Sequence, residues 1–184
     1  MSNSSVLTIS GLTKKTIICG LFASVIVGCG GADTPQTRTE ETTQVQLKDV
    51  PEDVKNVVMS MSPKFEMVEV LKKQRDGRTY FDVEGELPSG KEIEFDVLMT
   101  DDGPKVVEVQ RDITWKAVPR GAKRVVRKAN TDKNKIVRVI ESKQADTGTI
   151  IYEIFIEGHP EKPRFEVSVA GNLPAELLDT PWKH

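Results

Sequence analysis

The chain has 184 residues, a net charge of −2, 38% hydrophobic residues and only two cysteines. That length suits one compact domain or two small packed ones. Two cysteines cannot build a disulfide framework, and 5% aromatics leave little for stacking against nucleic-acid bases, which we exclude as a partner.

Residues 1–28 read as an export signal. Lys14 and Lys15 form a positive stretch, and Thr16 to Val27 follows as an uncharged apolar run. The run is shorter than the ~20 residues a membrane-spanning helix needs. It ends in Ile26-Val27-Gly28-Cys29, which resembles the lipobox of a bacterial lipoprotein precursor. Gly28 is small enough for a peptidase site, and Cys29 supplies the thiol for acylation. Cys19 is less suitable because Ile18 precedes it. An uncut anchor and an ordinary signal peptide are the alternatives. On the lipobox reading the protein is a lipid-anchored component of the cell envelope on the extracytoplasmic side. Gly30 after the cysteine resembles outer-membrane sorting, if the cell has two membranes.

Residues 29–46 form a polar tether with too little apolar surface to offset ordering entropy, and we expect it to be disordered. The folded part starts near Leu47. Val50-Pro51 opens a helix whose apolar positions, Val54, Val57, Val58 and Met61, share one face, and Pro63 ends it. Strand-like runs follow at Phe65–Gln74, Arg78–Leu87, Lys91–Met99 and Lys105–Arg111. Turns at Asp76-Gly77, Pro88-Ser89-Gly90 and Asp102-Gly103 separate them. In the third run Ile93, Phe95, Val97 and Met99 alternate with Glu92, Glu94 and Asp96, so the acids are expected on a solvated face.

The plan then recurs. Val118-Pro119 opens a second helix, with Ala122, Val125, Val126 and Ala129 at the same spacing. Asn134–Gln144, a run through Ile150, Tyr152, Ile154 and Ile156, and Phe165–Val169 match the earlier strands. Gly171-Asn172 replaces the Asp-Gly turn, and Leu173 to Leu178 reads as a turn of helix or as coil. The expected fold is therefore α+β: two tandem copies of a helix packed on an antiparallel β-meander. The copies span 47–113 and 114–173, and a tail covers 174–184. Their charges differ: ten basic residues against sixteen acidic in the first, twelve against seven from Thr114 to Ala170. Mutual attraction that fixes the orientation of the halves is the simpler reading, and a basic half facing an anionic partner the other.

Val50-Pro51, Tyr80-Phe81 and Asp102-Gly103, followed by Val118-Pro119 and Tyr152, resemble the PepSY family. The resemblance is especially to tandem PepSY-like proteins similar to the β-lactamase-inhibitor protein fold. The resemblance covers about Leu47 to Leu173. It implies a secreted or membrane-attached, non-catalytic domain that binds or restrains other proteins, peptidases included. The second copy departs from the pattern where Asp-Gly should precede a last strand.

Catalytic constellations are not apparent. His159 sits in a Gly-His-Pro turn, His184 is terminal, and neither has a partner at ligand spacing, so no metal or other cofactor is expected. Asp101-Asp102-Gly103 is followed by Pro104 and Lys105 rather than further calcium ligands. No nucleophile elbow or phosphate loop is present. The second helix carries Arg120, Lys123, Arg124, Arg127 and Lys128 without one acid, against the preference of a helix N-terminus for negative charge. These five residues are the candidate partner-binding surface. Trp115 is expected to pack between the copies, and either Trp115 or Trp182 could anchor an interface. The favoured function is a non-catalytic, membrane-anchored lipoprotein that binds or inhibits another extracytoplasmic protein. The alternative is a structural or envelope-assembly lipoprotein whose basic helix contacts anionic lipid or wall polymer.

Overall fold

A computed structural model describes residues 41–182. The expected signal peptide, the expected acylation site at Cys29 and His184 lie outside these residues.

The two-copy expectation is overturned. The described strands form one nine-stranded antiparallel sheet, in the order β1 to β9, with two ten-residue helices beside it. In chain order these are β1 (Glu41–Gln44), α1 (Glu52–Met61), β2 (Glu66–Arg75), β3 (Arg78–Glu86), β4 (Glu92–Thr100) and β5 (Gly103–Asp112). Then come α2 (Arg120–Ala129), β6 (Ile136–Gln144), β7 (Ile150–Ile156), β8 (Phe165–Val169) and β9 (Glu176–Leu177). The physical reason is the ladder at the presumed boundary. Glu108–Asp112 of β5 pairs with Ile140–Gln144 of β6, and Ile113 N–H and Ala145 N–H extend the bonding on either side. An open ten-residue edge at β5 would leave its backbone groups without strand partners, and β6 supplies them.

Two ends of the sheet also differ from expectation. Glu41–Gln44, placed by sequence in the tether, pairs with Leu71–Gln74 as an edge strand, and Val45 packs against the core. Glu176 and Leu177, read as helix or coil, pair with Ser168 and Val167.

Two apolar clusters hold the layers together. Val54 and Val58 of α1 pack with Val70, Phe81, Val83, Phe95, Val97 and Val106, and the Phe65 ring meets Phe95 edge-on at 5.3 Å. Met61, expected on this face, is exposed at the helix end. Ala122 and Val126 of α2 pack with Val118, Val139, Tyr152, Ile154 and Val167. Each buried valine, isoleucine or phenylalanine among them contributes about 1.5–3 kcal/mol. Trp115 belongs to this second cluster, half-buried, rather than to a joint between copies.

Both helices lie on the same side of the sheet. Val109 of β5, which packs on the first cluster, faces Lys143 across the ladder, and Lys143 shares its strand face with Val139 of the second cluster. Arg111 on this side donates to Glu141 at 2.8 Å, and the Tyr152 hydroxyl donates to the same carboxylate at 3.3 Å. Burial, with the Glu141 charge beside it, pushes the Tyr152 hydroxyl up to about 12.

Candidate functional site

The opposite face of the sheet holds the unexpected chemistry. Alternation along each strand puts Lys73 and Arg75 of β2, Tyr80, Asp82 and Glu84 of β3, Glu94 and Asp96 of β4, and Glu108 and Gln110 of β5 on this side. A bulge at Val107 of β5 brings Glu108 opposite Asp96, while Val97 still faces Val106. Ser142 and Gln144 of β6, Ile151, Glu153 and Phe155 of β7, and Glu166 of β8 continue the face.

This face was expected to be solvated, and it is so only in part: Glu92 is exposed and Glu94 partly exposed, but Asp96 is buried. Asp82, Asp96, Glu108, Ser142 and Gln144 are buried, although both helices lie on the other side. Curvature explains the burial. Asp82 of β3 and Glu166 of β8 line one cavity of about 250 Å³. Five strand steps would separate them by ~24 Å on a flat sheet. The sheet therefore curls around this face and brings β2 and β3 to one cleft with β7 and β8. Lys73, Arg75, Tyr80, Asp96, Glu108 and Gln110 form one wall; Glu153, Pro163 and Trp182 complete the other. Trp182 is held there by its backbone N–H, which donates to Glu166 at 2.6 Å, and its side chain keeps substantial exposure.

Acidic charge is concentrated at and beside the cleft. Asp82, Glu94 and Asp96 offer carboxylate oxygens all within 4.8 Å of one another, a spacing that could hold a cation. The chain supplies one itself, because the Lys73 ammonium is ion-paired with Asp82. Burial works against the charge on Lys73, but Asp82, with Asp96 and Glu94 behind it, more than offsets this and holds the ammonium above the ordinary lysine range. Glu94 has the reverse fate. Burial, then the charges of Asp96, Asp82 and Glu84, push its carboxyl well above the usual carboxylate range. Arg75 stacks over the Tyr80 ring at 4.7 Å.

The shift on Glu94 has a sign that can be checked. Its folded form holds the proton more tightly than the unfolded chain, so its contribution favours folding below the ordinary carboxylate pKa and is lost as pH rises through the raised value. Glu94→Gln is therefore expected to raise the thermal midpoint at neutral pH. It should also flatten the decline in stability from acid to neutral pH. Melting curves across that range, read by circular dichroism, check both.

The residues singled out by sequence lie elsewhere. Arg120, Arg124, Arg127 and Lys128 are exposed on α2, and Ala122 and Val126 bury the opposite side of that helix. Lys123 is separated from them in role: it donates to the Lys116 carbonyl at 2.7 Å and lies 5.9 Å from the centre of the Trp115 ring. No ion pair among the described residues engages the other four. His159 is exposed in its turn. The cleft was missed because its acids appear in sequence as an ordinary polar strand face. Nothing in the strand patterns set Lys73 apart, since β2 carries six charged or amide residues in ten and Lys73 pairs in register with Tyr80 rather than Asp82.

No family model matches the chain, and no curated protein matches it. A crystal structure of a DUF2874 family protein from Bacteroides uniformis aligns over 70% of this chain and 89% of its own. The identity is 16% and the TM-score 0.46, a loose likeness that carries no functional argument.

Proposed function

We propose that the protein is a non-catalytic, lipid-anchored envelope module that binds another protein on the extracytoplasmic side. The curled, helix-free face of the sheet is the surface that receives this partner. One observation carries the reading: a single cleft gathers side chains from β2 to β5, β7 and β8, with Trp182 at its rim. A contact surface assembled from so many strands is suited to recognising shape and charge, and a rim tryptophan is a common anchor at protein interfaces. The anchor at Cys29 supports the reading by raising local concentration at the membrane. A peptidase is the partner class that the PepSY resemblance implies.

The test is a stoichiometric complex recovered from native envelopes with the tagged chain. Trp182→Ala combined with Glu166→Gln is expected to weaken that complex at least about tenfold, the loss of a typical interface anchor. Its thermal midpoint should stay near the parent's, because both changes lie at the rim. A complex indifferent to these changes removes the cleft from the reading. Hydrolysis that survives purification and disappears with one carboxylate substitution overturns the non-catalytic assignment.

A further inference from the structure

We infer that the exposed face of α2 docks on an anionic phospholipid surface. Arg120, Arg124, Arg127 and Lys128 fall three or four residues apart and project from one side of a helix that spans ~15 Å. The helix contains no acid, and its N-terminal residue is an arginine placed against the macrodipole. The four cations are not consumed by the described ion pairs, and the apolar side of the helix is already buried on the sheet, which presents them rigidly.

Charge complementarity alone would admit an acidic protein. Two observations favour lipid. The cleft that could grip a shaped partner is on the other side of the sheet, whereas a bilayer offers phosphates at any spacing and needs no groove. Exposed apolar residues also occur in the segment beside α2: Ala175 lies against Gly121 near the start of the helix, and Leu173 and Leu177, two positions to either side of it in the chain, are 68% and 40% exposed. Basic groups beside exposed leucines are what an interfacial surface uses. The inference is strengthened by the anchoring proposed above, since a chain tethered at Cys29 meets the bilayer continually, but the vesicle experiment does not depend on that anchoring.

The experiment uses the chain from residue 29 onward with Cys29→Ser, so that no acyl group can contribute. It is sedimented with phosphatidylcholine vesicles, with and without phosphatidylglycerol. Binding is expected only to the anionic vesicles and should weaken as salt is added. The triple change R124E/R127E/K128E is expected to lower the bound fraction's partition coefficient by at least about tenfold, with an unchanged melting curve. Equal binding to neutral vesicles, binding unaffected by the triple change, or no binding to anionic vesicles each overturns the proposal. Tight association with polyglutamate in the absence of vesicle binding would reassign the face to an acidic protein. Failure of the anchoring reading shows separately, as an unmodified Cys29 in the mass spectrum of the native chain, and leaves the vesicle result standing.

Discussion

Lys73→Met is expected to destabilise the protein by about 3 kcal/mol at neutral pH, the low end of the range for breaking a buried ion pair because Lys73 is partly exposed. The substitution keeps most of the aliphatic stem and removes the positive charge from among Asp82, Glu94 and Asp96. Asp82, almost fully buried, then loses the ammonium charge beside it. The pH dependence distinguishes this cause from simple loss of packing. Carboxylates stranded without the ammonium are penalised only while ionised, so the deficit should shrink as pH falls and they take up protons. In the parent, the stability drawn from Lys73 itself is complete below its unfolded pKa and is lost only as strongly alkaline pH passes its raised folded value. Adding Asp82→Asn to Lys73→Met should recover part of the loss. Urea titrations of the three variants at neutral and acidic pH make the comparison. A deficit constant across that range would mean that the lysine acts through its stem alone.

Gly85→Ala is the second large effect, at about 3 kcal/mol. Gly85 sits in β3 opposite Met67 and Ile93. A methyl group there would overlap the carbonyl oxygen of Glu66 and lie 2.6 Å from the Phe65 ring. Neither neighbour can yield cheaply, because one is backbone and the other is wedged edge-on against Phe95. The β2 strand already bulges beside this point, where Val68 has no partner between Met67 and Glu69 and is left exposed. Glycine thus permits a close approach of backbone to an aromatic ring. Gly121→Ala provides the contrast. Its new methyl would meet only Ala175 at an ordinary 3.6 Å, inside a helix that gains from alanine. Denaturant midpoints should move in opposite directions for the two glycine changes.

Much of the local structure was legible. The alternation Ile93, Phe95, Val97, Met99 predicts a strand over Lys91–Met99, and β4 runs from Glu92 to Thr100. The Val-Pro dipeptides mark the start of both helices, and the Asp-Gly turn at 76–77 joins β2 to β3. The failures have a common cause. Pairing between β5 and β6 joins residues about thirty positions apart across an intervening helix, and nothing in either strand's own pattern names its neighbour. β1 escaped notice because all four of its residues are exposed, so no apolar alternation marks it. The buried carboxylates escaped for a further reason. Alternation assigns Asp82, Asp96 and Glu108 to a face, but whether that face sees water depends on how far the whole sheet curls. The basic residues of α2 were found because their environment is local: five cations on ten residues need no tertiary information.

The five-residue ladder between β5 and β6, with Arg111 and Tyr152 meeting on Glu141, has a consequence for how the molecule comes apart. Neither apolar cluster can melt while the strand beside it stays fully bonded, since each borders the same ladder. Loss of order on one side strips its neighbour of half its backbone partners. The two clusters are therefore expected to denature together, in one cooperative transition rather than as two beads on a string.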